Sequence, residues 1–119
     1  MAAVLVVEDE PLVRMVAVEV LRDSGYEVLE AGDGLEALEV LRGSAVDVLI
    51  TDVQMPRMNG YQLAEAAIDR WPGLKVLIVT GYARENVSAR IASAAIHTIH
   101  KPFDIDRLPL LVAELLAKH

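Results

Sequence analysis

At 119 residues the chain has the length of one domain, enough to bury roughly two thirds of the surface its unfolded form would expose. Apolar residues make up 54% but aromatic ones only 4%, so the core must be built from Val, Leu, Ile and Ala, which suits strands covered by helices better than a sandwich. Eleven basic against eighteen acidic residues give a formal charge of −7 with no Lys/Arg cluster, which argues against nucleic acid as a partner.

The absence of Cys excludes a disulfide framework and a thiolate metal site. The start, "MAAVLVVEDE", has no basic region, and its apolar run is far too short for a signal or a membrane span. A cytoplasmic protein with no membrane partner is the expectation.

In chain order, residues 4–7 are an apolar run of strand length, stopped by Glu8, Asp9 and Glu10. Pro11 suits a first helical position, Glu10 suits its cap, and Val13, Val16, Ala17, Val20 and Leu21 repeat at helical spacing up to Gly25. A second strand reads over 27–31, with a turn over 32–34. Leu35, Leu38 and Leu41 then mark a short helix ending at Gly43.

The third strand, 46–51, delivers Asp52 into a loop holding Pro56 and Gly60. Leu63, Ala66, Ala67 and Arg70 carry a third helix, which Pro72 and Gly73 terminate. Residues 76–79 are a fourth strand, followed by Thr80 and Gly81. Residues 84–95 are a weaker helix with Val87 and Ile91 inward, and 96–100 a fifth strand ahead of Lys101. In the terminal helix Pro109 must fall within the first turn, which predicts Asp106 as the cap with Asp104 and Ile105 in a preceding turn. Leucines and valines at helical spacing are expected in the core. His97, His100 and His119 are too dispersed for a metal site.

Five strands alternating with five helices imply an α/β fold, a parallel sheet covered on both faces by right-handed crossovers. Ligands of such sheets sit beyond the carboxyl ends of the strands. Those ends carry Glu8, Asp9 and Glu10, then Asp52, Thr80 and Lys101. Three carboxylates 4 to 5 Å apart would repel by about 4 kcal/mol per pair at an effective dielectric near 20. A hard divalent cation with oxygen ligands, Mg²⁺ above all, removes that cost. The Lys101 ammonium and the Thr80 hydroxyl would add charge and a donor for an incoming anion, most economically a phosphoryl group accepted by Asp52. Taken singly, each residue has an ordinary reading as a helix cap, a turn residue or a strand-end lysine. Four strand ends carrying complementary groups favour the joint reading.

With "VVEDEPLVR", "DVLITDVQMPRMNGYQLA", "VLIVTGYA" and "HKPF" in this order and spacing, the chain resembles, end to end over 1–119 as a single domain, the receiver domain of two-component response regulators, the CheY-like family. The resemblance implies a flavodoxin-like sheet of order 2-1-3-4-5 with five helices on both faces. It implies that Asp52 is the phospho-acceptor, Asp9 a direct Mg²⁺ ligand, Glu8 an acid acting through water and the Gln54 backbone carbonyl a further ligand. Thr80 and Lys101 would bind the phosphoryl oxygens, Gly81 would leave the pocket open, and the bond from Lys101 to Pro102 would be cis.

Where most receivers carry Tyr or Phe three residues before the lysine, Thr98 stands here, and "WPGLKVLIVTGYA" resembles receivers attached to hybrid histidine kinases and some stand-alone ones that also lack the aromatic. Tyr82 is then a candidate for part of the gating. The resemblance implies a histidine kinase or phosphotransfer protein as donor, a downstream protein reached through residues 81–119, and a signalling domain that catalyses only its own phosphorylation and dephosphorylation. The alternative, a haloacid-dehalogenase-type phosphatase, wants a second Asp where Gln54 stands. A flavodoxin-like flavin carrier wants a phosphate-binding loop where "EDEP" would repel the phosphate.

Overall fold

A computed structural model of the chain describes residues 2–80, 96–100 and 104–117. The elements in order are β1 (Ala3–Val7), α1 (Pro11–Asp23), β2 (Glu27–Ala31), α2 (Gly34–Gly43), β3 (Val48–Asp52), α3 (Gly60–Arg70), β4 (Lys75–Thr80), β5 (Ile96–His100), a single 3₁₀ turn (Ile105–Arg107) and α4 (Leu108–Ala117). The strands form one parallel sheet in the order β2-β1-β3-β4-β5. Four α-helices lie among the described residues. The helix expected over 84–95 lies outside them, as do Gly81, Tyr82, Lys101, Pro102 and His119.

β1 throughout, β3 over 48–50 and β4 over 76–79 are continuously apolar because both faces of the sheet are covered there. Their period of two sorts the side chains into two cores. Leu5, Val7, Leu49, Val76 and Ile78 pack with Ala37 and Leu41 of α2 and Leu63, Ala64 and Ala67 of α3. Val4, Val6, Val48, Ile50, Leu77 and Val79 pack on the opposite face with Ala17, Val18 and Leu21 of α1 and Leu108, Val112 and Leu115 of α4.

Several boundaries and faces differ from the sequence expectation. β1 begins one residue earlier, at Ala3, and β3 runs Val48–Asp52, so the acid closes the strand instead of following it. β4 runs Lys75–Thr80 and includes the threonine. In α1, Val13 and Val16 are 45% and 44% exposed, and in α2 Leu35 is 48% exposed. α1 carries apolar residues on more than one side, and only the strip of Ala17, Val18 and Leu21 is buried.

Glu10 stands at the cap position of α1, but its side chain makes no capping bond. Before α4 the cap is Asp104, whose Oδ1 accepts from the Asp106 N–H at 3.0 Å. Asp106 is thus the donor in that bond, because a 3₁₀ turn intervenes before the α-helix. Pro109 falls in the first turn of α4, where its missing N–H costs nothing.

Candidate functional site

The register of β1 and β3 builds the acidic site. Val7 pairs with Thr51, and one step further along the two strands stand Glu8 and Asp52. By the alternation of the sheet both continue the series of Val4 and Val6, and of Val48 and Ile50, that faces α1 and α4. Glu8, Asp9 and Asp52 each present a carboxylate oxygen, all within 4.8 Å of one another. Glu8 is 7% exposed, Asp52 is half-buried and Asp9 is open to solvent.

The backbone around these acids is closely held. The Glu8 N–H extends the β1–β2 ladder to the Ala31 carbonyl at 3.1 Å, and Glu8 Oε2 accepts from the Glu10 N–H at 3.1 Å. At β3 the buried Thr51 hydroxyl donates to the Asp52 carbonyl at 2.9 Å. The Val53 N–H donates to the Val79 carbonyl at 3.1 Å and the Gly60 N–H to the Val53 carbonyl at 2.9 Å. Gly60, the first residue of α3, lies so close that a Cβ there would stand 2.3 Å from the Asp52 carbonyl oxygen.

α3 begins with a reciprocal capping pair. Asn59 Oδ1 accepts from the Gln62 N–H and Gln62 Oε1 accepts from the Asn59 N–H, both at 2.9 Å. The string N-G-Y-Q carries this signal, and the sequence reading passed over it.

Thr80 closes β4 with 1% exposure, one residue beyond Val79, which pairs with Asp52. The exposed Gln54 lies in the loop after β3 and lines an open cleft of about 660 Å³ together with Asp9, Met55, Pro56, Asn59 and Tyr61. Of the predicted site residues, then, the fold gathers Glu8, Asp9 and Asp52 into one oxygen cluster and sets Gln54 and Thr80 on the flanking strand end and loop. Lys101 lies outside the described residues. Thr98 is exposed on the edge strand β5, opposite Ile78 in the register.

All-oxygen ligands with few protein donors are the set that hard divalent cations take, Mg²⁺ in particular since it retains waters. The partial exposure of the cluster leaves room for such waters, so the residues fit the group. Among the described residues no imidazole or thiolate joins the cluster to favour a softer metal.

The sequence profile described as response regulator receiver domain matches residues 4–113. A sensor kinase of Brucella abortus, CckA, is 40% identical over 120 residues, which cover 98% of this chain and 13% of the kinase. The transcriptional regulatory protein PdtaR of Mycobacterium tuberculosis is 37% identical over 107 residues, 88% of this chain and 52% of that protein. The chain therefore spans about half or less of the length of these curated relatives. Among solved structures, the response regulator TrrA of Thermotoga maritima, crystallised with Mg²⁺ and beryllium fluoride, superposes with a TM-score of 0.86 at 31% identity, covering 98% of this chain and all of that one. TrrA has also been crystallised in complex with the histidine kinase ThkA.

Proposed function

The chain belongs to the family of response regulator receiver domains of two-component systems, and from that premise we propose that Asp52 accepts a phosphoryl group from a phosphohistidine donor. The observation that carries this reading is the meeting of Glu8, Asp9 and Asp52 within 4.8 Å at the ends of two adjacent strands. Placed alone in so small a volume, three carboxylates repel. Bound Mg²⁺ would supply the compensating charge, held by Asp9, Asp52 and the Gln54 carbonyl, with Glu8 acting through water.

A carboxylate oxygen of Asp52 attacks phosphorus as the bond to the donor imidazole nitrogen breaks, and the imidazole keeps the electron pair and takes a proton. Such transfer needs mostly positioning and neutralisation of charge. Thr80 at the end of β4 offers its hydroxyl to the transferred oxygens, and Lys101 offers an ammonium in the same role. Attack by water on the acyl phosphate returns the domain to its starting state. Gln54, two residues past the nucleophile, has no acidic proton to give a leaving alcohol, which separates this chain from Asp-based phosphatases that turn over small esters.

In this reading residues 1–119 are a single receiver domain and the donor is a histidine kinase or phosphotransfer protein. The downstream partner is a protein reached through residues 81–119, and the compartment is the cytoplasm. The complex of TrrA with ThkA supports a kinase as donor. Among the described residues no helix is long and apolar enough to cross a membrane.

Intact-mass measurement after incubation with acetyl phosphate or phosphoramidate and Mg²⁺ tests the proposal. The protein should gain one phosphoryl group, the gain should vanish with chelator, and Asp52→Asn should lose it while staying folded. Uptake by Asp52→Asn equal to that of the unsubstituted chain would place the acceptor elsewhere.

A further inference from the structure

One cation grips the acidic turn without belonging to the carboxylate cluster. Arg14, on the first turns of α1, donates from Nη1 to the Glu8 carbonyl oxygen at 2.7 Å and from Nε to Glu30 Oε1 on β2 at 3.2 Å. Its own backbone N–H reaches the Glu10 carbonyl at 3.0 Å. Gly32 lies alongside it, where an added Cβ would stand 3.4 Å from Arg14 Nη1. The peptide that joins Glu8 to Asp9 is therefore held at its carbonyl by a fork whose other tine is anchored on a neighbouring strand. Glu8 is held at its N–H by Ala31 and at its carboxylate by the Glu10 N–H.

We infer that Arg14 is a positioning residue for the cation site: its grip on the Glu8 carbonyl fixes the turn that aims the Glu8 and Asp9 carboxylates at Asp52. The inference rests on the reading that this trio holds Mg²⁺. A bond from a charged donor to a carbonyl is stronger and shorter than a neutral one. The planar guanidinium serves two acceptors at once, which an ammonium on a flexible stem does not do with the same geometry. Glu30 is half-exposed and adds little by attraction alone. Its role is to orient the guanidinium. Groups that orient metal ligands, without touching the metal, typically change affinity by about tenfold to a hundredfold when removed.

The test is a Mg²⁺ titration of the full chain followed by amide chemical shifts, for the unsubstituted protein and for Arg14→Ala, Arg14→Lys, Glu30→Gln and Asp9→Asn. Arg14→Ala should weaken Mg²⁺ binding by about tenfold or more. Arg14→Lys should recover part of the affinity, since the ammonium can still reach the Glu8 carbonyl. Glu30→Gln, which keeps an acceptor, should fall between Arg14→Lys and the unsubstituted chain. In Arg14→Ala, phosphoryl uptake from a small donor should need a correspondingly higher Mg²⁺ concentration to reach half its maximum.

Arg14 is merely a staple between α1 and β2 if Arg14→Ala lowers the melting temperature while Mg²⁺ affinity stays unchanged, and the inference then fails. Should the unsubstituted chain bind no Mg²⁺, or Asp9→Asn bind it equally well, the reading of the acidic site fails instead. Amide exchange of Asp9 and Glu10 without metal then decides the role of Arg14, with faster exchange in Arg14→Ala supporting it and equal exchange overturning it.

Discussion

Arg57, in the loop that follows Asp52, holds a left-handed backbone, φ 69°, and its Nη2 lies 2.6 Å from Asp33 Oδ2. Asp33 also caps α2, with Oδ1 accepting from the Glu36 N–H at 2.8 Å. A single side chain thus ties the start of one helix to the loop of the candidate site.

That tie makes Asp33 a source of pH dependence. The Glu36 N–H first, and then Arg57 and the Leu35 N–H, hold its carboxyl below the ordinary 3.8 against partial desolvation. A carboxyl whose folded pKa is depressed stabilises the fold above its unfolded pKa, and the contribution is lost as pH falls through the folded value. Stability should therefore decline as pH drops from 3.8 downward, and Asp33→Asn should flatten that part of the profile. Urea midpoints collected from about pH 6 to about pH 2 for both proteins check this. Identical slopes would remove Asp33 from the account.

The positive φ of Arg57 separates two effects at one position. A left-handed conformation costs a residue with a Cβ about 1–2 kcal/mol, and glycine escapes that cost. The exposed ion pair to Asp33 contributes less than about 1 kcal/mol. Arg57→Gly and Arg57→Ala both lose the pair, so Arg57→Gly should be the more stable of the two by about 1 kcal/mol in chemical denaturation. The reverse order would mean that the backbone relaxes out of the left-handed region.

Two glycines at helix starts should respond differently to alanine. At Gly60 the added Cβ would stand 2.3 Å from the carbonyl oxygen of Asp52 and 3.0 Å from Val53 Cα, both backbone atoms with nowhere to go. Gly60→Ala should cost about 1–3 kcal/mol or more and depress phosphoryl uptake, since the closest atom belongs to Asp52, the proposed acceptor. At Gly34 the obstacle is the Met58 side chain, its Sδ at 2.7 Å and its Cβ and Cγ at 3.0 Å, with no backbone atom among the nearest contacts. Gly34→Ala needs Met58 to shift but gains helix propensity of up to about 1 kcal/mol, so it should cost less than Gly60→Ala. Melting curves with phosphorylation assays on the two variants give the comparison.

The order of the strands was more legible in the chain than their ends. β2 and β5, the edge strands, mix apolar and polar residues yet run over the predicted spans, and Asp52 stands where the apolar run of β3 stops, because burial of both faces of a central strand writes itself into a continuous run of Val, Leu and Ile. Helix faces were harder to read. Leu12 is 73% exposed and Leu21 fully buried on the same helix, since local apolarity records no direction when more than one side is apolar. Leu12→Gln should accordingly change stability by less than about 0.5 kcal/mol, whereas Leu21→Ala should cost about 2–5 kcal/mol. The links from Arg14 to Glu30 and from Arg57 to Asp33 join residues far apart in the chain, and no periodicity encodes such pairs.

The last prediction concerns how phosphorylation is read out. Receivers of the usual kind carry an aromatic ring where Thr98 stands, and the ring moves as the phosphoryl-bound hydroxyl closes. Thr98 is exposed on an edge strand, and its β-branched side chain has few rotamers and no ring with which to fill or vacate a cavity. Thr80 is buried one register step from Asp52 and keeps the hydroxyl that a phosphoryl oxygen would attract. A ligand shifts an equilibrium only by its differential affinity for the two states, so the energetic difference must be taken up elsewhere than at position 98. Amide exchange with and without Mg²⁺ and beryllium fluoride as phosphoryl mimic should change at Asp52, at Thr80 and over residues 81–95, with Thr98 and its strand neighbours little affected. Protection changes confined to residues 96–100, with 81–95 silent, would show that the threonine itself carries the signal.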